Sequence, residues 1–182
     1  MSRERVHQRR IDMQGYRRGD GLFDIEAKLI DSKDHAMHTA TGRVFAAGDE
    51  IHHMLLRLVV DVNLQIVAVQ ARTVAAPYGV CAQGPSALQS LVGLRIGPGW
   101  SRAVRERLSG AQGCTHLREL LGPLATVAFQ TLWQVREAQV PLGTAAHLAA
   151  KADSCWAYAS SHAQAAHTQP QHFSPWADQQ TL

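Results

Sequence analysis

Residues 51–75 read IHHMLLRLVVDVNLQIVAVQARTVA, and this stretch decides the fold. His52, Met54, Leu56, Leu58 and Val60 fall on one face at every second position, while Arg57 falls on the other. Such alternation predicts a half-buried strand. Asp61 and Asn63 are turn formers, so the chain should reverse there and return as a second strand through Leu64–Ala75.

Upstream, LFDIEAKLIDSK from Leu22 alternates in the same way, with Phe23, Ile25, Ala27 and Leu29 on one side and Leu22, Asp24, Glu26 and Lys28 on the other. The two stretches predict a meander of three antiparallel strands, with a short further strand near Arg43–Ala46 in the connection. Residues 1–20 form a charged lead-in ending in the turn-rich GYRRGDG.

Beyond Pro77 the period changes. Pro85 at a first helical turn and Gly93 at an end frame a short helix over about 85–92. PGWSRAVRERLSG frames a second, with Ser101 near its start and Gly110 past its end. Leu117, Leu120, Leu121, Leu124, Val127, Ala128, Leu132 and Val135 then repeat every three to four residues, as a buried amphipathic helix requires. Pro123 should kink or split that helix. Thr115 is a plausible N-cap and leaves Cys114 at the helix mouth. After Pro141 the chain is Ala-rich and reads as helical to about residue 159. From residue 160 it loses periodicity and reads as a disordered tail. Strands first and helices after predict an α+β domain over 21–159, with helices packed on one face of an antiparallel sheet, between a basic arm (1–20) and the tail (160–182).

Composition narrows the function classes. The chain has 182 residues and a net charge of +3. Its apolar runs fall far short of the roughly 20 residues that cross a bilayer, and no apolar signal core follows the basic start MSRERVHQRR. A soluble, cytoplasmic protein is expected. Arginines cluster at Arg3, Arg5, Arg9, Arg10, Arg17 and Arg18 and again at Arg102, Arg105 and Arg107. No nucleic-acid motif accompanies them, so they read as solvated charge rather than a phosphate-binding patch. The expected partner is another protein, neither nucleic acid nor membrane. Arg17, Arg18, Asp20, Asp24 and Glu26 crowd one strand start; they form either a pocket for an acidic ligand or a surface ion-pair network.

Three cysteines, Cys81, Cys114 and Cys155, are too few and too odd in number for a disulfide framework. Cys114 at a helix mouth has its thiolate favoured by free N–H groups and the helix dipole, and His116 follows within the same turn. His52 stands on an otherwise aliphatic strand face, and Cys81 lies in an irregular loop marked by Pro77, Gly79 and Gly84. These residues read as buried packing groups, as ligands of one metal, or as a nucleophile with its base. A strand, a loop and a helix mouth are separate elements of the kind that assemble a closed metal site. We therefore expect His52, Cys81, Cys114 and His116 to bind zinc or an iron–sulfur cluster in a binding or accessory protein. The alternatives are a small enzyme with Cys114 as nucleophile and His116 or His52 as base, acting on acyl or thioester substrates, and an interaction module with no site.

Two resemblances bear on this. GYRRGDGLFDIEAKLIDSK, AGDEIHHMLLRLVVD, APYGVC, LVGLRIGPGW, GCTHLREL and DSCWAY, from His7 to Tyr158, resemble an uncharacterised bacterial family known only as a domain of unknown function. The order of features is also remotely similar to the iron–sulfur cluster assembly scaffolds of the IscU and NifU type. The similarity implies a sheet followed by helices, a ligand-bearing loop before MLLRLVVD, a cysteine at Cys81 opening a helix, and a Cys/His pair starting a long helix at Cys114 and His116. Those scaffolds carry Cys-Gly-Asp where this chain has EIHHM, and an adjacent His-Cys pair where it has Cys-Thr-His. They use three cysteines where two align here, and Cys155 would have to supply a third.

Overall fold

The structure is a computed structural model that describes residues 1–139, 149, 152–153, 155–156 and 159. Contacts divide the chain into two compact units, Met1–Arg136 and Glu137–Leu182. The second is described only at the end of a short helix, α3 (Trp133–Gln139), and at isolated positions that include an exposed Cys155. The helix expected after Pro141 and the expected tail lie largely or wholly outside the described residues.

The first unit is α+β. Its strands are β1 (Gln8–Arg17), β2 (Phe23–Ser32), β3 (Met37–His38), β4 (Val44–Phe45), β5 (His52–Val60) and β6 (Ile66–Ala75). Four of them form an antiparallel sheet in the order β1-β2-β5-β6, and β3 and β4 pair as a separate two-stranded ribbon. The expected meander is therefore present as β2, β5 and β6. The difference is β1, which pairs with β2 along its full length inside what the sequence reads as a lead-in. Most of β1 is exposed, and of its residues Met13 alone packs against the core. That exposure erased the apolar period a sequence reading depends on. Gly15 marks where β1 passes under a helix, since a Cβ there would overlap the Thr131 side chain.

The β5–β6 turn is built on Asp61, whose carboxylate accepts the N–H groups of Asn63 and Gln65 at 2.8 Å each. Leu64 takes a left-handed backbone (φ 64°) at this turn while its side chain is buried. A leucine pays strain in that conformation, and burial of its side chain offsets it.

A succession of 3-10 turns over Gly79–Leu91 follows, with Pro85 inside it. It covers the short helix expected over about 85–92, in the 3-10 form and starting six residues earlier. Ser86 and Ser90 donate to carbonyls three residues back, at 2.7 Å in both cases, which suits the tighter 3-10 spacing. Then come α1 (Trp100–Leu108) and α2 (Thr115–Thr131). The Trp100 indole N–H donates to the Leu121 carbonyl at 3.0 Å and locks α1 against α2. Pro123 does not split α2, because it lies with Glu119 on the exposed side, where a freed carbonyl can meet water.

One core joins the layers. Phe23, Ile25 and Leu29 of β2, and Met54, Leu56, Leu58 and Val60 of β5, bury against Leu117, Leu120, Leu121 and Leu124 of α2. Among the described residues no helix is long and apolar enough to cross a membrane.

Candidate metal centre

The buried row of β2 runs Phe23, Ile25, Ala27, Leu29 and ends at Asp31 on the same parity. Asp31 is the one charged residue among the buried set described, at 3% exposure. The register sets Arg9 of β1 on one side of it and His52 of β5 on the other. At the end of the apolar face the sheet thus presents a cross-strand row, Arg9–Asp31–His52, beneath the start of α2.

A carboxylate so deeply buried must be compensated. Arg9 does this bidentately, Nε to Oδ1 at 2.7 Å and Nη2 to Oδ2 at 2.8 Å. The remaining guanidinium nitrogen donates to Glu119 of α2, so one arginine ties the edge strand to both β2 and the helix. His52 Nδ1 lies 3.1 Å from Asp31 Oδ2. His116, in the first turn of α2, brings Nε2 to 3.7 Å from the same oxygen. His7 Nε2 is 3.4 Å from Oδ1. The rings of His52 and His116 are 3.7 Å apart between centroids and tilted by 30°.

These contacts set the charge states. Burial pushes the Asp31 carboxyl up, but the Arg9 guanidinium, with His52 and His116 nearby, outweighs it and holds Asp31 below the usual aspartate value. His52 is pushed down, first by burial and then by His116, against the pull of Asp31. An ionised carboxylate beside a neutral imidazole is the protonation state that a metal requires of its ligands.

Donor atoms of Asp31, His52 and His116 all lie within 4.8 Å of one another. Tetrahedral zinc with bonds of about 2.0–2.1 Å needs donors roughly 3.3 Å apart. The 3.1 Å and 3.7 Å separations from Asp31 bracket that value. The donor set of one carboxylate and two imidazoles fits zinc or another divalent ion, and it leaves a coordination position free.

The four residues singled out by sequence divide. His52 and His116 stand in this cluster with Asp31. Cys114 occupies the N-cap position of α2, in place of the expected Thr115, with its Sγ 3.9 Å from His116 Nδ1. Burial raises its thiol, while His116 and the backbone N–H groups of Leu117 and His116 lower it, and the net direction is down. Cys81 is half-buried against the apolar core, with its carbonyl accepting the Thr73 hydroxyl at 3.1 Å. The 3-10 segment approaches the helix mouth at Gly84, where a Cβ would sit 3.1 Å from the Cys114 Cβ. Neither Cys81 nor Cys114 belongs to the group of donors within 4.8 Å. Asp31 and Arg9 were not singled out from sequence. Carrying the β2 alternation one step past Leu29 would have found Asp31; nothing in β1 signals Arg9.

Two other arginines of the arm are engaged away from the site. Arg5 pairs with Asp34 at 2.7 Å, and Arg18 with Asp20 at 2.6 Å and Asp24 at 3.3 Å. On the open side of the sheet Glu26 pairs with Arg57 at 2.6 Å. The charged strand start is thus an ion-pair network.

The family model described as "Protein of unknown function (DUF2889)" matches residues 7–130. No curated protein and no solved structure matches the chain.

Proposed function

Because the chain belongs to the DUF2889 family, whose description carries no activity, we propose from its geometry that it is a metal-binding protein. It holds one divalent ion, zinc in the first instance, through Asp31, His52 and His116. The observation that carries this reading is the convergence of two imidazoles from a strand and a helix on a single buried carboxylate. Bound there, zinc supplies a Lewis acid with an open position. The chain's own residues do the rest. Arg9 keeps Asp31 ionised and aimed. The strand register positions His52, and the first turn of α2 positions His116.

A carboxylate with two imidazoles favours a single ion over an iron–sulfur cluster, which is held mainly by thiolates. An accessory role toward another protein, in the cytoplasm, rests on the remote resemblance of the sequence to the cluster-assembly scaffolds. Free thiols at Cys81, Cys114 and Cys155 accord with a reducing compartment. The test is metal content and melting temperature before and after chelation. Reloading with zinc should restore one ion per chain and raise the melting temperature. Zero uptake and an unchanged melting curve would remove the site.

A second reading rests on Cys114. Its N-cap position, its lowered thiol and the sequence Cys114–His116–Asp31, at 3.9 Å and 3.7 Å, resemble a nucleophile, its base and an orienting carboxylate. It would serve acyl or thioester transfer. This reading requires Cys114 to alkylate far faster than Cys81 and Cys155 at neutral pH; equal, slow rates for all three would dismiss it.

A further inference from the structure

We propose that the open side of the metal site receives a small organic anion, a carboxylate or phosphate group on a mostly apolar body. This inference rests on the metal reading and names the class of ligand the site takes. A cavity of about 340 Å³ opens directly over Asp31, His52 and His116. It is within the size range of small-molecule sites.

The charge on its wall is one-sided. Asp31 is the only carboxylate among the lining residues, and Arg9 already neutralises it. Against it stands Lys33, one residue past the end of β2, whose ammonium has no ion-pair partner among the described residues. The side chains of His38 and Tyr78 also line the cavity, and neither has a hydrogen-bond partner among the described residues. A divalent ion at the site would add two further positive charges to the same wall. Unengaged donors around a cationic floor, with no carboxylate left to repel an anion, define an anion subsite.

Of the other lining residues, Met37, Ala40, Ile51 and Pro77 are apolar, His7 lies against Asp31 at 3.4 Å, and the Thr39 hydroxyl is engaged by Thr41 and by the Arg43 N–H. No second unengaged cation stands beside Lys33, so the body attached to the anion should be hydrocarbon or aromatic. The β3–β4 ribbon, which carries Met37 and His38, forms one side of this wall. Its Arg43 side chain is tied to the Ala76 carbonyl at 2.7 Å, which holds the ribbon beside the chain entering Pro77 and Tyr78.

The experiment compares phenyl phosphate and benzoate with inorganic phosphate, acetate, benzyl alcohol and benzylamine. Each probe is titrated into the full chain, both zinc-loaded and chelated, and zinc content is read in the same samples. The two aromatic anions should bind the loaded protein at least about tenfold more tightly than their headgroups alone and than the neutral and cationic counterparts. Lys33→Gln should weaken them about tenfold, and Lys33→Arg should restore them. The stronger of the two aromatic anions identifies the headgroup. Equal binding of benzylamine, or indifference to Lys33→Gln in protein that retains its zinc, would overturn the inference alone. Failure to take up zinc would overturn the metal site and this inference with it.

Discussion

The two faces of the sheet carry nearly the same chemistry and put it to different use. On the open face Gln14, Glu26, Arg57 and Gln70 lie in register across four strands, and Arg57 donates to Glu26 at 2.7 Å and to Gln70 at 3.0 Å. On the covered face Arg9, Asp31 and His52 lie in register across three. Both rows centre on a carboxylate held by an arginine. On the open face the arginine is 43% exposed, water screens the pair, and the row ends there. On the covered face a helix closes over the row, adds His116 to the same carboxylate and leaves Asp31 buried. The residue types do not make the site. The side of the sheet does, because on the covered face the carboxylate is buried and donors from a strand and a helix converge on it.

Substitutions at the two carboxylates should separate the faces most strongly. Asp31→Ala takes the bidentate partner from Arg9, which keeps only Glu119, and removes the shared ligand. It should cost about 2 kcal/mol by chemical denaturation and abolish zinc uptake. His52→Ala and His116→Ala remove one donor each from partly exposed positions. Each should lower zinc affinity by about 100-fold or more in competition titrations while changing apo stability by about 1 kcal/mol or less.

Acid should act on the covered face specifically. Burial and His116 push the His52 imidazole down, so below about pH 6.5 the unfolded chain takes a proton that the folded chain refuses. Stability therefore falls as pH drops from 7 toward 5. Asp31, held low by Arg9 against its burial, contributes stability present above about pH 4 and lost as pH falls through its folded value. His52→Gln should flatten the limb between pH 7 and 5 in thermal melts of the chelated protein and leave the more acidic limb intact. The smallest effect belongs to the open face: Glu26→Gln should shift stability by less than about 1 kcal/mol and leave zinc affinity unchanged.

The contrast between faces also explains what the sequence could disclose. Strands β2, β5 and β6 were legible because each buries one face, and burial writes a period of two into the residues. The leucines of α2 were legible for the same reason at a period near 3.6. Strand β1 was not, since its edge position leaves Gln8–Arg17 mostly exposed and its apolar alternation reduced to Ile11 and Met13. The site followed the same rule. His52 stood out as a polar residue in an aliphatic row, and the Cys114–His116 pair as chemistry at a helix mouth. Asp31 escaped because it occupies a core position at the edge of a turn-like stretch, DSKD, where aspartate is ordinary. Arg9 escaped because its meaning depends wholly on the register with β2.

Cobalt substitution tests the central claim most directly. Titrating Co²⁺ into the chelated chain reports both stoichiometry and donor type. The structure predicts one ion per chain, visible ligand-field bands that vanish in Asp31→Ala, and no sulfur-to-cobalt charge-transfer band. No uptake, or a sulfur band that disappears in Cys81→Ser or Cys114→Ser while uptake survives Asp31→Ala, would contradict it.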